Sequence, residues 1–269
     1  LVLFAFERVY GEDGRADMDR TEFHVPDGYA RELAREHPRY FEWACSIHPY
    51  RRDCVAALEQ AKADNARAVK WLPAAMGIDP ASPRCDRFYA ALARLGLPLV
   101  THAGLSRAII GVDLQDFGNP LRLRRALDAG VRVVVAHCAS MGRDRDLDKG
   151  GQAPAVESFA LFERLMDEPR AARLLHGDLS ALTQVNRAAG ALSRVLERTD
   201  WHRTSPSPVI DANGQVTQLA ALEQLRQRLR ARHYSYRTEE SYTDWTRRFL
   251  EYLADRQGLQ RPRVDSTAV

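Results

Sequence analysis

Three side chains able to do chemistry recur at nearly even spacing, Lys70, His102 and His137, and each ends or sits inside an apolar run. The runs read Val69-Lys70-Trp71, Val100-Thr101-His102-Ala103-Gly104 and Val134-Val135-Ala136-His137-Cys138. The intervals of 32 and 35 residues each span about one strand and one helix. In a parallel barrel every strand ends on the same face, so three such side chains converge there. Two neutral imidazoles on rigid strand ends can ligate zinc or a similar divalent ion. A lysine beside them can bind an anion, act as a nucleophile or, once carboxylated, bridge metals. Lys70 is conspicuous because Lys62 and Lys149 are the only other lysines among 39 basic residues.

A single histidine that ends a strand is ordinarily a hydrogen-bonded packing residue. Two of them at unit spacing, one unit after a scarce lysine, reverse that reading. His176-Gly177-Asp178 follows at the next strand end. Asp178 can face the same cavity, whereas His176 reads as a packing or solvent-facing residue. His48-Pro49 reads as a turn, and Cys138 as a small buried hydrophobe.

The elements that must position these groups alternate up to about Arg203. Apolar runs occur at Leu1–Phe6, Phe41–Ile47, Ala66–Leu72, Leu97–Thr101, Val131–Ala136 and, more weakly, Ala172–Leu175. Between them lie helically spaced sets such as Cys54, Val55, Leu58, Ala61 and Phe88, Leu92, Leu95. Gly96 and Gly130 precede apolar runs and read as helix C-terminal caps. This rhythm predicts an α/β fold built on a parallel sheet. No glycine-rich phosphate loop follows any strand, which argues against a nucleotide site.

From Thr204 to Gly214 the texture changes to Ser-Pro-Ser-Pro and Asp-Ala-Asn-Gly turn chemistry, a linker. Beyond it, Val216, Leu219, Leu222, Leu225 and Leu229 form one helical stripe, and Tyr242, Trp245, Phe249 and Leu253 a second. Thr238 is placed to cap the second helix. The boundaries are therefore 1–203, 204–214 and 215–269.

The net charge of +3 and 45% apolar content fit a globular chain and exclude disorder as a description of the whole. No apolar run reaches the ~18 residues of a membrane span. The opening apolar stretch meets Glu7 and Arg8 and offers no small-residue cleavage site, unlike a signal peptide. Four cysteines without a CxxC pair read as reduced thiols, which places the protein in the cytoplasm.

The phrases Ala68-Val69-Lys70-Trp71-Leu72-Pro73, Pro98-Leu99-Val100-Thr101-His102 and Val133-Val134-Val135-Ala136-His137-Cys138 give residues 1–203 a resemblance. They look like the amidohydrolase superfamily, and within it the second family of metal-dependent barrel hydrolases and decarboxylases. The resemblance implies a TIM-type (β/α) barrel with His102 and His137 as metal ligands on the fifth and sixth strands. Lys70 would take the fourth-strand position, and Lys70 and Asp178 would be the catalytic groups. A divalent metal, zinc first, would activate water against an amide, ester or related bond of a small-molecule substrate. The family's opening His-x-His pair and its eighth-strand aspartate phrase are not found. The expectation is an incomplete barrel of about six strands, impaired or inactive as a hydrolase, with the metal weakly bound or absent.

A second resemblance begins at Leu225. The phrase His233-Tyr234-Ser235-Tyr236-Arg237-Thr238-Glu239-Glu240, with Trp245-Thr246-Arg247-Arg248-Phe249, resembles the N-terminal SAM-like core-binding domain of tyrosine recombinases, integron integrases in particular. It implies a small all-α helical segment that contacts DNA, without the recombinase's catalytic residues. Arg226, Arg230, Arg232, Arg237, Arg247 and Arg248 are the candidate phosphate contacts, although on charge alone they read as a solvated helix face. Together the two resemblances imply a hydrolase-like barrel fused to a DNA-binding segment of DNA-integration type. The alternatives are a non-catalytic gene-fusion fragment and a small-molecule-binding barrel without hydrolase activity.

Overall fold

The computed structural model describes residues 1–106, 114–150 and 154–198, apart from 183, 185, 186 and 189. The linker at 204–214, both C-terminal helical stripes and all six candidate DNA-contacting arginines lie outside the described residues. Residues Leu1–Glu197 form one compact unit.

That unit is α/β, and its main strands are parallel. They are β1 (Val2–Phe4), β2 (Glu42–Ala44), β3 (Val69–Trp71), β4 (Leu99–His102), β5 (Val133–Ala136) and β6 (Leu175–Gly177). β1 pairs with β2, and β3, β4, β5 and β6 pair in that order. A parallel bridge between Cys45 and Val69 joins the two groups, reinforced where Lys70 N donates to Cys45 O at 2.7 Å. Every strand thus lies beside its neighbours in the chain, the order of a (β/α) barrel wall. Four of the six apolar runs contain their strand, and β4 extends one residue past its run to His102. The sixth strand falls at Leu175–Gly177, later than the expected Ala172–Leu175, because Ala172 still belongs to the turn that follows a 3-10 helix at Pro169–Ala171.

Helices fill the crossovers: α1 (Asp27–Glu36), α2 (Cys54–Ala63), α3 (Pro73–Met76), α4 (Asp86–Leu95), α5 (Arg124–Asp128) and α6 (Ser158–Asp167), with α7 (Ala191–Glu197) after β6. α2 buries Cys54, Leu58 and Ala61, one helical stripe. α4 starts on Asp86, which suits the positive end of the helix dipole, and stops on Gly96 at φ 64°, a left-handed cap that favours glycine. Two short antiparallel ribbons, Val9–Tyr10 with Ala16–Asp17 and Arg143–Arg145 with Ala155–Glu157, extend the loops after β1 and β5.

Strand side chains alternate between the two faces of the sheet. One face meets the helices. Val69, Leu99, Val133 and Leu175 stand in register across four strands, and all are buried. Two residues along, Trp71 stacks on Phe88 of α4 at 5.1 Å and donates from Nε1 to Ile47 O at 2.9 Å. The opposite, inner face carries Lys70, Val100, Val134 and His176 in a second register row. On this side Val100 and Val134 are only half-buried and His176 is exposed.

Candidate active site at the strand ends

Lys70 follows from this alternation. Trp71 must go to the helices, so its neighbour is sent to the inner face, where the stem is buried and the chain exposes only 7% of its surface. Among the described residues its Nζ has no hydrogen-bond or ion-pair partner, and it lies 5.4 Å from the centre of the Phe4 ring. Burial brings the ammonium down to about 8, against the opposing pull of Asp178. Its main chain is fixed from below, since Ser46 Oγ donates to Lys70 O at 2.8 Å.

His102 ends β4. Its Nε2 lies 3.1 Å from Leu105 O. A carbonyl only accepts, so Nε2 carries the proton and Nδ1 keeps its lone pair. Burial holds this imidazole down to about 4, and the charges of Lys70, His137 and Arg187 push the same way. It is therefore neutral at pH 7. The loop behind it is tight: a Cβ on Gly104, at φ 79°, would stand 2.4 Å from Met141 O, where Leu105 N also donates at 2.8 Å.

His137 begins a left-handed turn. His137, Cys138 and Ala139 have φ of 56°, 51° and 51°, a conformation costing roughly 1–2 kcal/mol for each residue with a Cβ. The turn carries the imidazole to 6.1 Å from the His102 ring, centre to centre. His137 Nδ1 is 2.9 Å from both Ser180 O and Ser180 Oγ, so Nδ1 donates and Nε2 holds the lone pair. Ser180 Oγ donates in turn to Asp178 Oδ2. Asp178 Oδ1 accepts from Ser180 N at 3.1 Å, and Oδ2 lies 3.4 Å from the His137 N–H and 3.9 Å from Nδ1.

Lys70, His102, His137 and Asp178 thus stand at the ends of four successive strands as one cluster, linked by direct contacts or by mutual charge. His176 is exposed, in the same inner register row as Lys70. His48 is fully buried in the turn, accepting at Nδ1 from Tyr50 N at 3.2 Å and donating at Nε2 to Met76 O at 2.9 Å. Cys138 is buried, and burial pushes its thiol up to about 12, away from the reactive thiolate form. Two further members escaped the sequence. Ser180 follows Asp178 by two residues, a spacing that favours a local side-chain turn and could have flagged it. Arg187, whose guanidinium meets only the neutral Gln184 Oε1 at 3.2–3.3 Å among the described residues, carries no such signal. An open cleft of about 470 Å³ between Pro49–Arg52 and Pro83–Arg87 contains none of these groups.

A parallel α/β unit whose ionisable side chains gather at the strand ends is the plan of the barrel hydrolases. The family model described as amidohydrolase matches residues 4–212, and the chain belongs to that family. Residues 221–264 match the model of the phage integrase N-terminal SAM-like domain. Comparison with curated proteins finds no match. Among solved structures, a probable 2-pyrone-4,6-dicarboxylic acid hydrolase from Acinetobacter baumannii, with citric acid bound, is similar at TM-score 0.43. It shares 12% identity over 84% of this chain and 91% of the other. An uncharacterised TIM-barrel protein from Bordetella bronchiseptica gives TM-score 0.41 and 18% identity over 80% and 76%. A 5-carboxyvanillate decarboxylase from Sphingomonas paucimobilis gives 0.37 and 13% over 73% and 71%.

The family generally works with a divalent metal. The residues here do not fit a resident ion. Nδ1 of His102 and Nε2 of His137 offer lone pairs, and Asp178 Oδ2 is turned to Ser180 and the His137 N–H, leaving two imidazoles as the ready donors among the described residues. Among the described residues no group of three or more His, Cys, Asp or Glu side chains is arranged to hold a metal. Nor is any described helix long and apolar enough to cross a membrane.

Proposed function

We propose that the N-terminal unit is a small-molecule site of amidohydrolase type, impaired as a metal-dependent hydrolase and joined to a DNA-binding segment of integrase type. The convergence of Lys70, His102, His137 and Asp178 on the inner face carries the first half. In this reading Lys70 and Asp178 act on the bound molecule, and the two neutral imidazoles orient it by hydrogen bonds. Zinc is the ion that an imidazole pair would take, and two ligands would hold it only weakly. The four buried free thiols support a reducing cytoplasm.

Dialysis of the full chain against zinc tests this half. Less than one zinc per chain is expected, lost in His102→Ala and His137→Ala. One zinc per chain that survives a chelator would sink the reading of an impaired site. The DNA half rests on the match at 221–264 and on the arginines there. Duplex DNA should be retained almost without regard to sequence, with log affinity falling against log salt at a slope of roughly −3 to −4. Retention unchanged in the Arg232→Ala, Arg237→Ala double variant would remove it.

A further inference from the structure

We propose that Lys70 is a nucleophilic amine that forms an imine with a small carbonyl compound bearing a carboxylate, a 2-oxo acid. The proposal takes from the previous reading only that the inner face binds a small molecule.

The placement of Lys70 carries it. The side chain is held by a buried stem on a rigid strand, yet among the described residues nothing bonds its Nζ. The nitrogen is not among the fully buried unpartnered atoms, so it is open to solvent at the inner face while no acceptor among the described residues holds it. The side chains in register with it, Val100, Val134 and His176, leave this face partly open, and Phe4 across from it is 39% exposed. A carbonyl compound can therefore reach the nitrogen. Burial supplies the reactivity: with the ammonium near 8, roughly a tenth is free amine at pH 7, on the order of 100-fold more than for an ordinary lysine.

The neighbours define the rest of the ligand. Asp178 is the charge that acts on Lys70, and on the far side of neutral His102 the guanidinium of Arg187, whose charge reaches His102, has no acidic partner among the described residues. Desolvation pulls the Arg187 guanidinium down, so a carboxylate arriving there would be stabilised by it. In the reaction the neutral amine attacks the carbonyl carbon and a C–N bond forms. Asp178 accepts the proton shed by nitrogen and passes it to the carbonyl oxygen, giving the carbinolamine. A proton from solvent water then lets the hydroxyl leave as water, and return of the N–H proton to solvent leaves C=N with no change in oxidation level.

Pyruvate with cyanoborohydride at pH 7 tests this on the full chain, because reduction turns the imine into a stable secondary amine. Lys62 and Lys149 are both exposed and serve as references within the same molecule. Peptide mapping should show Lys70 labelled at least ten-fold faster than either, with saturation in pyruvate and a rate that climbs towards pH 8. Arg187→Gln should weaken pyruvate saturation without altering labelling by uncharged acetone. Asp178→Asn should slow both. Labelling of Lys70 no faster than of Lys62 and Lys149 would overturn the proposal, and equal reaction with acetone and pyruvate would overturn the carboxylate part. Calorimetry without reductant separates the two readings. Saturable pyruvate binding with no Lys70 adduct ends the imine and spares the small-molecule site, whereas no binding at all removes both.

Discussion

The two faces of one sheet divide the labour of this unit. Towards the helices, Val69, Trp71, Leu99, Thr101, Val133 and Val135 are all buried. Towards the interior, one register row runs from a buried lysine through two half-buried valines to an exposed histidine. The first face holds the fold and tolerates no polarity without a partner. The second carries Lys70 and His102, whose charged forms burial disfavours. Stability and chemistry are thus separated by the two-residue period of a strand.

Substitutions on each side can break this contrast. Trp71→Ala removes the ring stacked on Phe88 and should cost about 3–5 kcal/mol in denaturant unfolding. A cost under 1 kcal/mol would mean that the outer face is not the structural one. Lys70→Met should act through pH instead. Lys70 sits near 8 in the folded state and near 10.5 when unfolded, so the unfolded chain holds more protons between those values. Stability should accordingly rise across that window in the parent, by on the order of 2 kcal/mol, and the variant should lose this rise. Identical pH profiles for the two chains would refute the placement of Lys70.

His102→Gln probes the acid side. With His102 near 4 when folded and near 6.5 when unfolded, the parent loses stability as pH falls through that interval. The variant should lose about 1 kcal/mol less of it. The residual slope comes partly from His48, also near 4, and is opposed by Asp27, which burial lifts to about 6. The smallest effect belongs to His176→Ala on the exposed end of the inner row. Less than ~0.5 kcal/mol is expected by the same unfolding measurement, and a larger loss would show that the inner face is also structural.

Much of this plan was legible in the residues. Runs such as Val131–Ala136, entered from a glycine and rich in β-branched side chains, read as strands because little else suits buried parallel pairing. β6 was harder, since His176 and Gly177 carry no strand signal. Gly177 is there for space: a Cβ would stand 2.6 Å from Cys138 Sγ and 3.1 Å from Phe162 Cζ. That constraint belongs to packing between distant segments, which periodicity does not encode. Unit spacing suggests grouping Lys70, His102 and His137, whereas Asp178 is only one option at the next strand end and its role comes from the family resemblance. Ser180 could be flagged only by its two-residue spacing from Asp178, and Arg187 carries no local signal. The ribbons Val9–Tyr10 and Ala16–Asp17 are two residues a side, too short for alternation to show.

The strand order has a consequence for how the unit is made. Among the described residues each of the six parallel strands pairs with those before and after it in the chain, so each of these pairings closes a loop of about one βα repeat. A chain emerging from its N-terminus can lay each strand against the last as it appears. The sheet should therefore grow outward from whichever neighbouring pair forms first. Amide exchange should then be slowest in β3, β4 and β5, which are paired on both sides.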